Sequence, residues 1–277
     1  STIDYTCSST QISGMSKNAF ESYLFKDGKP MALTSLNKSD EAPFQYGHLS
    51  LKAILAVRDK RLAQTIDTVL LYNGRGFTRF NTGMESTSST GYGVAKYDNE
   101  AIPEGFRSQS GKNYTHAPLF WLSVIYLNYA EACAELGNIT QDDLDKSINL
   151  LKDRAGLPHL NPIVGFSDPA NNHGVSDLIW EIRRERRCEL MFDNDNRYWD
   201  LIRWHQLDKL DTTKYPDIIL GANVANDMDG CEANKVGKYI DGSKDGSRIY
   251  DKKHYLYPIP TGQIALNPQL APNNPGW

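Results

Sequence analysis

The sequence predicts a mainly α-helical chain with long irregular loops and a few short β-strands. Three observations carry that expectation: the cap and apolar spacings of three successive helices between Pro118 and Arg203, the Gly/Ser/Thr/Asn clusters that interrupt the chain elsewhere, and the proline density from Tyr255 onward. At 277 residues the chain is long enough for a substantial core, as one large domain or two ordinary ones. Hydrophobic residues at 40% and charged residues at 23% exclude wholesale disorder and a collagen-like chain. The balance of 30 Lys+Arg against 34 Asp+Glu leaves a net charge of −4, which gives no electrostatic reason to expect nucleic acid as a partner. No apolar run approaches the ~20 residues a membrane helix needs, and residues 1–25 lack the basic start and apolar stretch of a signal peptide.

From Ser1 to Asp40 the chain reads as loops with short helical pieces. Residues 48–57 are apolar but ambiguous between helix and strand, and Thr65 to Tyr72 has the composition of a strand. Residues 73–97 read as loop and ribbon. Leu119 to Leu136 is apolar on most sides, which predicts a helix buried on more than one face and ended by Gly137. The next helix opens at Thr140, whose hydroxyl can cap the N–H of Asp143, and carries Leu144, Ile148, Leu151 and Ala155 as one stripe up to Gly156 and Pro158. These two form a helical hairpin in which Ala130, Ala134 and Ser147 let the axes approach closely. A third helix begins near Ser176 and runs to Phe192, and a short one follows over Arg197 to Trp204, with Trp199 and Trp204 read as core plugs. From Ile218 to Asp251 glycine turns at Gly242 and Gly246 suggest a hairpin or long loop, and the proline-rich tail reads as an extended strap.

In the third helix Glu181, Glu185 and Glu189 recur every four residues beside Arg183, Arg184, Arg186 and Arg187. Two carboxylates one turn apart can serve acid–base chemistry, but guanidinium neighbours depress carboxylate pKa values, so a structural ion-pair network is the expectation. Asp193-Asn-Asp-Asn196 and Asp227-Met-Asp-Gly230 have some of the oxygen ligands of a calcium loop, without the remaining EF-hand positions, and read as polar turns. Cys7, Cys133, Cys188 and Cys231 are widely separated; Cys133 and Cys188 read as free, packed thiols, with a Cys7 or Cys231 bridge left open. There is no G-x-G-x-x-G, Walker A, G-x-S-x-G or H-E-x-x-H motif, and the six histidines are scattered.

Three ordered stretches resemble the SusD/RagB family of outer-membrane nutrient-binding lipoproteins. They are Leu127-Asn-Tyr-Ala-Glu-Ala-Cys-Ala-Glu-Leu-Gly137 with Arg154-Ala-Gly156; Ile182-Arg-Arg-Glu-Arg-Arg-Cys-Glu-Leu-Met-Phe192 with Arg197-Tyr-Trp-Asp-Leu201 and Arg203-Trp204; and Tyr255-Leu-Tyr-Pro-Ile-Pro260 with Ile264, Asn267-Pro268 and Asn274-Pro-Gly-Trp277. Lys26-Asp-Gly-Lys-Pro30, Arg58-Asp-Lys-Arg-Leu62 and Gly91-Tyr-Gly-Val-Ala-Lys-Tyr97 support the match, in the order of the family's C-terminal half. Between Phe192 and Arg197 the chain departs from the family's acidic residue and glycine with a longer, more polar turn.

The resemblance implies a SusD-like scaffold of tetratricopeptide-like helix pairs, one of them at residues 119–155, with long irregular loops that build the ligand site. The corresponding division is 1–117 as a loop-rich ligand-binding part, 118–210 as helical scaffold, and 211–277 as loops and an extended strap. It further implies a non-catalytic glycan-binding protein at the outer-membrane cell surface, partnered by a SusC-like TonB-dependent transporter, with its lipid anchor outside this chain. The length then reads as about half of a larger protein, which should expose apolar surface where further helices pack. The alternatives are peptide uptake, a tetratricopeptide-type adaptor, and a glycoside hydrolase with facing carboxylates. No cofactor is implied, with calcium left open. Because glycan binding uses aromatic faces beside polar groups, the candidate ligand residues are Phe44, Gln45, Tyr46, His48, Tyr72, Asn73, Arg75 and Phe77.

Overall fold

The computed structural model describes residues 14–38, 50–66, 77–78, 85–86, 88–96, 102–103, 106, 111–112, 118–193, 196–226, 234–243 and 246–277. It is mostly helical, with a few short strands. Helix α1 (Lys17–Ser22) opens at Ser16, whose hydroxyl accepts from the N–H of Ala19. The ambiguous segment becomes helix α2 (Ser50–Leu55), and α3 (Lys60–Thr65) follows at once. Thr65 therefore closes a helix, and only Ile66 of the expected strand is seen extended, bridged to Val94, since 67–72 lie outside the described residues. The reason is local: the Asp59 carboxylate caps the N–H of Arg61, and the Thr65 hydroxyl donates back to the Arg61 carbonyl. A two-residue ribbon, β1 (Phe77–Thr78) with β2 (Glu85–Ser86), lies in the segment expected to form one.

Helix α4 (Leu122–Glu135) ends as anticipated, with Gly137 left-handed at φ +71°. Its burial differs from expectation. Leu127, Ala130 and Glu131 are buried, whereas Leu122 and Ile125 are 63% and 61% exposed and Tyr129 and Leu136 share their side of the helix. Later helices cover only one face, and the other is left as an apolar stripe that Leu119 and Phe120 extend. This is exposed apolar surface of the kind anticipated from the sequence.

The helix expected over 140–155 is two: α5 (Gln141–Asp145) and α6 (Ile148–Ala155). The Thr140 cap forms as read and the Asp143 carboxylate completes it as a capping box, but Ser147 departs from helical geometry while its hydroxyl bonds the Asp143 carbonyl one turn back. The stripe survives the break, since Leu144, Ile148, Leu151 and Ala155 are all buried. Asn149 then holds the following loop by accepting from the Leu160 N–H at 2.7 Å and donating to its carbonyl at 3.0 Å.

Helix α7 (Asp177–Glu189) is capped by Ser176 and ends short of Phe192. The Lys96 ammonium bonds the Glu189 and Met191 carbonyls and the Asp193 carboxylate there, a cation at the negative end of the helix. Asp193, the first oxygen donor of the run considered for calcium, is therefore buried in an ion pair; Asn194 and Asp195 lie outside the described residues, as does 227–230. Phe192, at φ +65°, turns the chain into α8 (Asn196–Arg203), and His205, at φ +53°, turns it out again. Trp199 is not a core plug, being 56% exposed.

The chain then forms a three-stranded antiparallel sheet in the order β3 (Leu220–Asn223), β5 (Tyr239–Asp241), β4 (Lys235–Val236). Its tight turn is at Gly237, φ +59°, and not at Gly242 or Gly246. Gly221 must stay small because a Cβ there would collide with the backbone of Thr90. The tail is less extended than expected: between Pro260 and Pro268 it makes the short helix α9 (Thr261–Leu266). Asn273 brackets the backbone of Ile259, and the Trp277 indole donates to the Leu256 and Lys253 carbonyls.

Two apolar clusters result. One gathers Phe20, Tyr23, Leu51, Leu62, Ile66 and Tyr92 with Ala222, Val224 and Ile240 of the sheet. The other joins Leu127 and Ala130 to Leu144, Ile148, Leu151 and Ile182. Helix α7 serves both, through Cys188 in the first and Ile182 in the second. Cys188 and Cys133 are free thiols; Cys7 and Cys231 lie outside the described residues.

The expected ion-pair network exists, but mostly between elements. Glu185 meets Arg61 of α3 and, at 3.5 Å, Lys152 of α6. Glu189 meets Arg61 at 2.9 Å and Arg154 at 2.5 Å. Arg186 binds Asp200 of α8 at 2.7 Å, which also receives Arg203. The Lys146–Asp142 pair is exposed on both sides, so solvent screens it and it adds little. The Arg61–Glu185 pair is buried on both sides, so removing one partner strands a charge at a cost of about 3–5 kcal/mol. Arg61→Met is therefore expected to lower unfolding stability by about that amount, and Arg61→Met with Glu185→Gln to recover part of it, as read by urea titration. Although burial alone would raise it, the Arg61 and Lys152 charges hold the Glu185 pKa at about 2, below its ordinary 4.5. Its contribution is thus complete above about pH 4.5 and lost as pH falls through about 2, so wild type should lose more stability across that window than the double variant.

Candidate functional site

Where α7 faces α1 and α8, a cavity of about 640 Å³ opens between the two clusters. Its floor is dictated by helical spacing. Trp180, Arg183, Arg184 and Arg187 stand at i, i+3, i+4 and i+7 on one side of α7, while Glu181, Glu185 and Glu189 point to the other. Opposite α7 lie Asn18 and Glu21 of α1 and the segment Pro30–Ala32, and at the ends Arg197 and Trp204 of α8, Lys209, Tyr215 and Asp217.

The acids of this cavity are all engaged. Asp168 receives Arg184, the Trp180 indole N–H at 3.1 Å and the Ala170 N–H at 2.9 Å. Asp217 accepts from the Asn18 amide at 2.6 Å, and Glu21 pairs with Lys17 at 2.6 Å. Trp204 is no core plug either. Its indole donates to Glu131 at 2.6 Å, and the Arg183 and Arg203 guanidiniums lie 4.6 and 4.5 Å from its centroid.

The cations are not matched in the same way. Arg183 and Arg184 have carboxylate partners. Arg187 donates at 2.7 Å to the neutral Asn18 amide oxygen and makes no ion pair among the described residues. Half-buried Arg197 makes neither hydrogen bond nor ion pair among the described residues; the Trp204 ring 5.9 Å away is what it touches. Lys209, also half-buried, lies 4.6 Å over Trp180, with no anionic partner among the described residues. Burial, and then the charge of Arg187, lowers the Arg197 pKa to about 9. Burial followed by Arg197 and Arg187 lowers Lys209 to about 7.

Phe44, Gln45, Tyr46, His48, Tyr72, Asn73 and Arg75 lie outside the described residues, and Phe77 is described only as backbone in β1. The signal for the cavity was present in the third helix: sorting its charges by face, instead of pairing neighbours along one face, separates the Glu stripe from the Arg stripe. Among the described residues no group of His, Cys, Asp or Glu side chains is arranged to hold a metal ion.

The lowered Lys209 pKa has a definite sign. The unfolded chain holds this proton up to about pH 10.4 while the folded chain releases it near 7, so the group opposes folding most below pH 7 and less as pH rises toward 10.4. Lys209→Met should therefore raise the urea midpoint at pH 6.5 by more than at pH 9.5. A shift that grows with pH would refute this.

A model of the SusD family matches residues 5–277. Among solved structures, a SusD-like protein from Bacteroides fragilis NCTC 9343 is 23% identical, with a TM-score of 0.56 over 95% of this chain and 47% of that one. The selenomethionine protein BT4246 is 24% identical, with a TM-score of 0.62 over 95% of this chain and 46% of that one. This chain thus spans about half the length of those structures, and at such identity the likeness shows the shared fold alone. No curated protein matches. The helical scaffold agrees with both neighbours, and the match runs from Tyr5 to Trp277: the chain belongs to the SusD family, whose members are in general nutrient- and glycan-binding proteins.

Proposed function

We propose that this chain is part of a non-catalytic cell-surface protein that captures glycans for a TonB-dependent uptake system. The observation that carries this reading is the family match along residues 5–277. The partner in the proposal is a SusC-like outer-membrane transporter, and the place is the outer membrane at the cell surface. Among the described residues no helix is long and apolar enough to cross a membrane.

The geometry favours binding over hydrolysis. Glycoside hydrolysis needs two carboxyl groups about 5–9.5 Å apart, one on each side of the scissile bond. The three acids of the cavity are each committed to a protein partner. The cavity volume falls in the range of small-molecule sites, about 300–1,000 Å³.

Aromatics beside polar groups in the sequence are the proposed sugar contacts: Phe44, Gln45, Tyr46 and His48 in one segment, and Tyr72, Asn73, Arg75 and Phe77 in another. Aromatic rings stack on sugar C–H faces, and the amide and guanidinium groups bond hydroxyls. Calorimetry of the full chain against a panel of neutral and acidic polysaccharides should find a binder. Tyr46→Ala with Tyr72→Ala should weaken it about tenfold, a loss of about 1.4 kcal/mol, with the melting temperature unchanged. Tight binding of peptides with no glycan bound would overturn the glycan assignment in favour of peptide uptake, and release of product from a bound oligosaccharide would overturn the non-catalytic one.

A further inference from the structure

We propose that the cavity beside α7 is an oxyanion site, built to receive a carboxylate or sulfate group between Arg187, Arg197 and Lys209. The inference rests on the cavity being a ligand site, but not on the ligand being a neutral glycan.

Three features of the cavity converge on this chemistry. The first is the mismatch of charge: three half-buried cations, with exposed Arg248 at the same space, have no ion pair among the described residues, although the chain as a whole carries a net charge of −4. Their neighbours offer them an amide oxygen and two indole rings. Of the nearby acids, Asp168 is paired with Arg184, while Asp217 bonds the neutral Asn18 amide and offsets part of the Arg187 charge through space without an ion pair. The second is the mutual repulsion of the cations, which acts on Arg197 and Lys209 from Arg187 and Arg183 together. Gathering like charges away from water opposes folding unless something compensates it. An entering oxyanion supplies that compensation through charge-assisted hydrogen bonds, which are about twice as strong as neutral ones.

The third is preorganisation. Trp180 lies beneath the Lys209 ammonium, and Trp204 is held by Glu131 on one edge with Arg197 beside its ring. The rings orient the cations without neutralising them. A sugar face finds these rings already occupied by cations, so charge and not stacking is what the cavity has to offer. The anion has two sources, a free inorganic or small organic ion, or an acidic group on a saccharide. The recognition chemistry is the same for both.

The test is calorimetry of the full chain at low ionic strength with sodium sulfate, trigalacturonate and neutral maltotriose. At least one of the two anionic probes should bind, with an affinity that falls as salt is added. Arg197→Gln and Lys209→Gln should each weaken that binding at least tenfold, while Lys146→Gln, on the exposed face of α5, should leave it unchanged. Maltotriose, if bound, should be indifferent to all three. Trigalacturonate binding at least tenfold tighter than sulfate marks an acidic saccharide as the source; equal affinities mark a free anion. Melting temperatures of the variants serve as the fold check, and removing the unpaired Arg197 should not lower them.

Failure of both anions to bind overturns the inference, as does undiminished binding in both variants. Maltotriose binding without anion binding overturns it while leaving the glycan reading intact. Sulfate binding with no saccharide bound across the polysaccharide panel does the reverse.

Discussion

The burial of the α7 carboxylates is the constraint on which the rest of the molecule depends. Glu181, Glu185 and Glu189 lie along one side of that helix, and such charges leave water only if guanidinium and ammonium groups meet them there. Arg61 of α3 with Lys152 and Arg154 of α6 do so for Glu185 and Glu189, while Glu181 pairs with Arg184 of its own helix. These cations come from two separate stretches of chain, so satisfying Glu185 and Glu189 sets the positions of α3, α6 and α7 together. Replacing such pairs by apolar groups is often neutral or favourable, which argues that their role is to specify an arrangement. Here the arrangement seats Ile182 and Cys188 of α7 in separate apolar clusters.

The cavity follows from the same helix. With the acids of α7 turned toward α3 and α6, its arginines must face the other way, toward α1 and α8. Some find carboxylates, as Arg184 finds Asp168 and Arg186 finds Asp200. Others do not, and Arg187 with Arg197 and Lys209 is left as a local excess of positive charge in a chain that is negative overall. Composition could not reveal this, because net charge sums over the sequence while a pocket samples only the side chains that meet in it.

Local physics decided what was legible in advance. The Thr140 cap, the helix start near Ser176 and the Gly137 and Gly156 stops each involve groups within a few residues, and each formed as read. The stripe of Leu144, Ile148, Leu151 and Ala155 persisted through the break at Ser147, because the hydroxyl that disturbs the backbone there leaves the apolar side chains on one side. Readings failed where burial depended on a distant segment. Helix α4 is apolar nearly all round, yet only the side toward α6 and α7 is covered. Trp199 and Trp204 are equally large, but one is open to solvent and the other is packed among arginines.

By itself, then, the sequence determined the helical class, the caps, the stops and the family, since these rest on spacing and short-range hydrogen bonds that any fold of this chain would retain. Only the tertiary structure decided which partner each charge takes. The carboxylates of Glu185 and Glu189 chose Arg61, more than a hundred residues earlier in the chain, over the arginines beside them in α7. The physical reason is geometric: residues one helical turn apart share a face, but Arg186 and Arg187 are carried round the helix away from the glutamates that precede them. Their charges are spent elsewhere, on Asp200 and on the cavity.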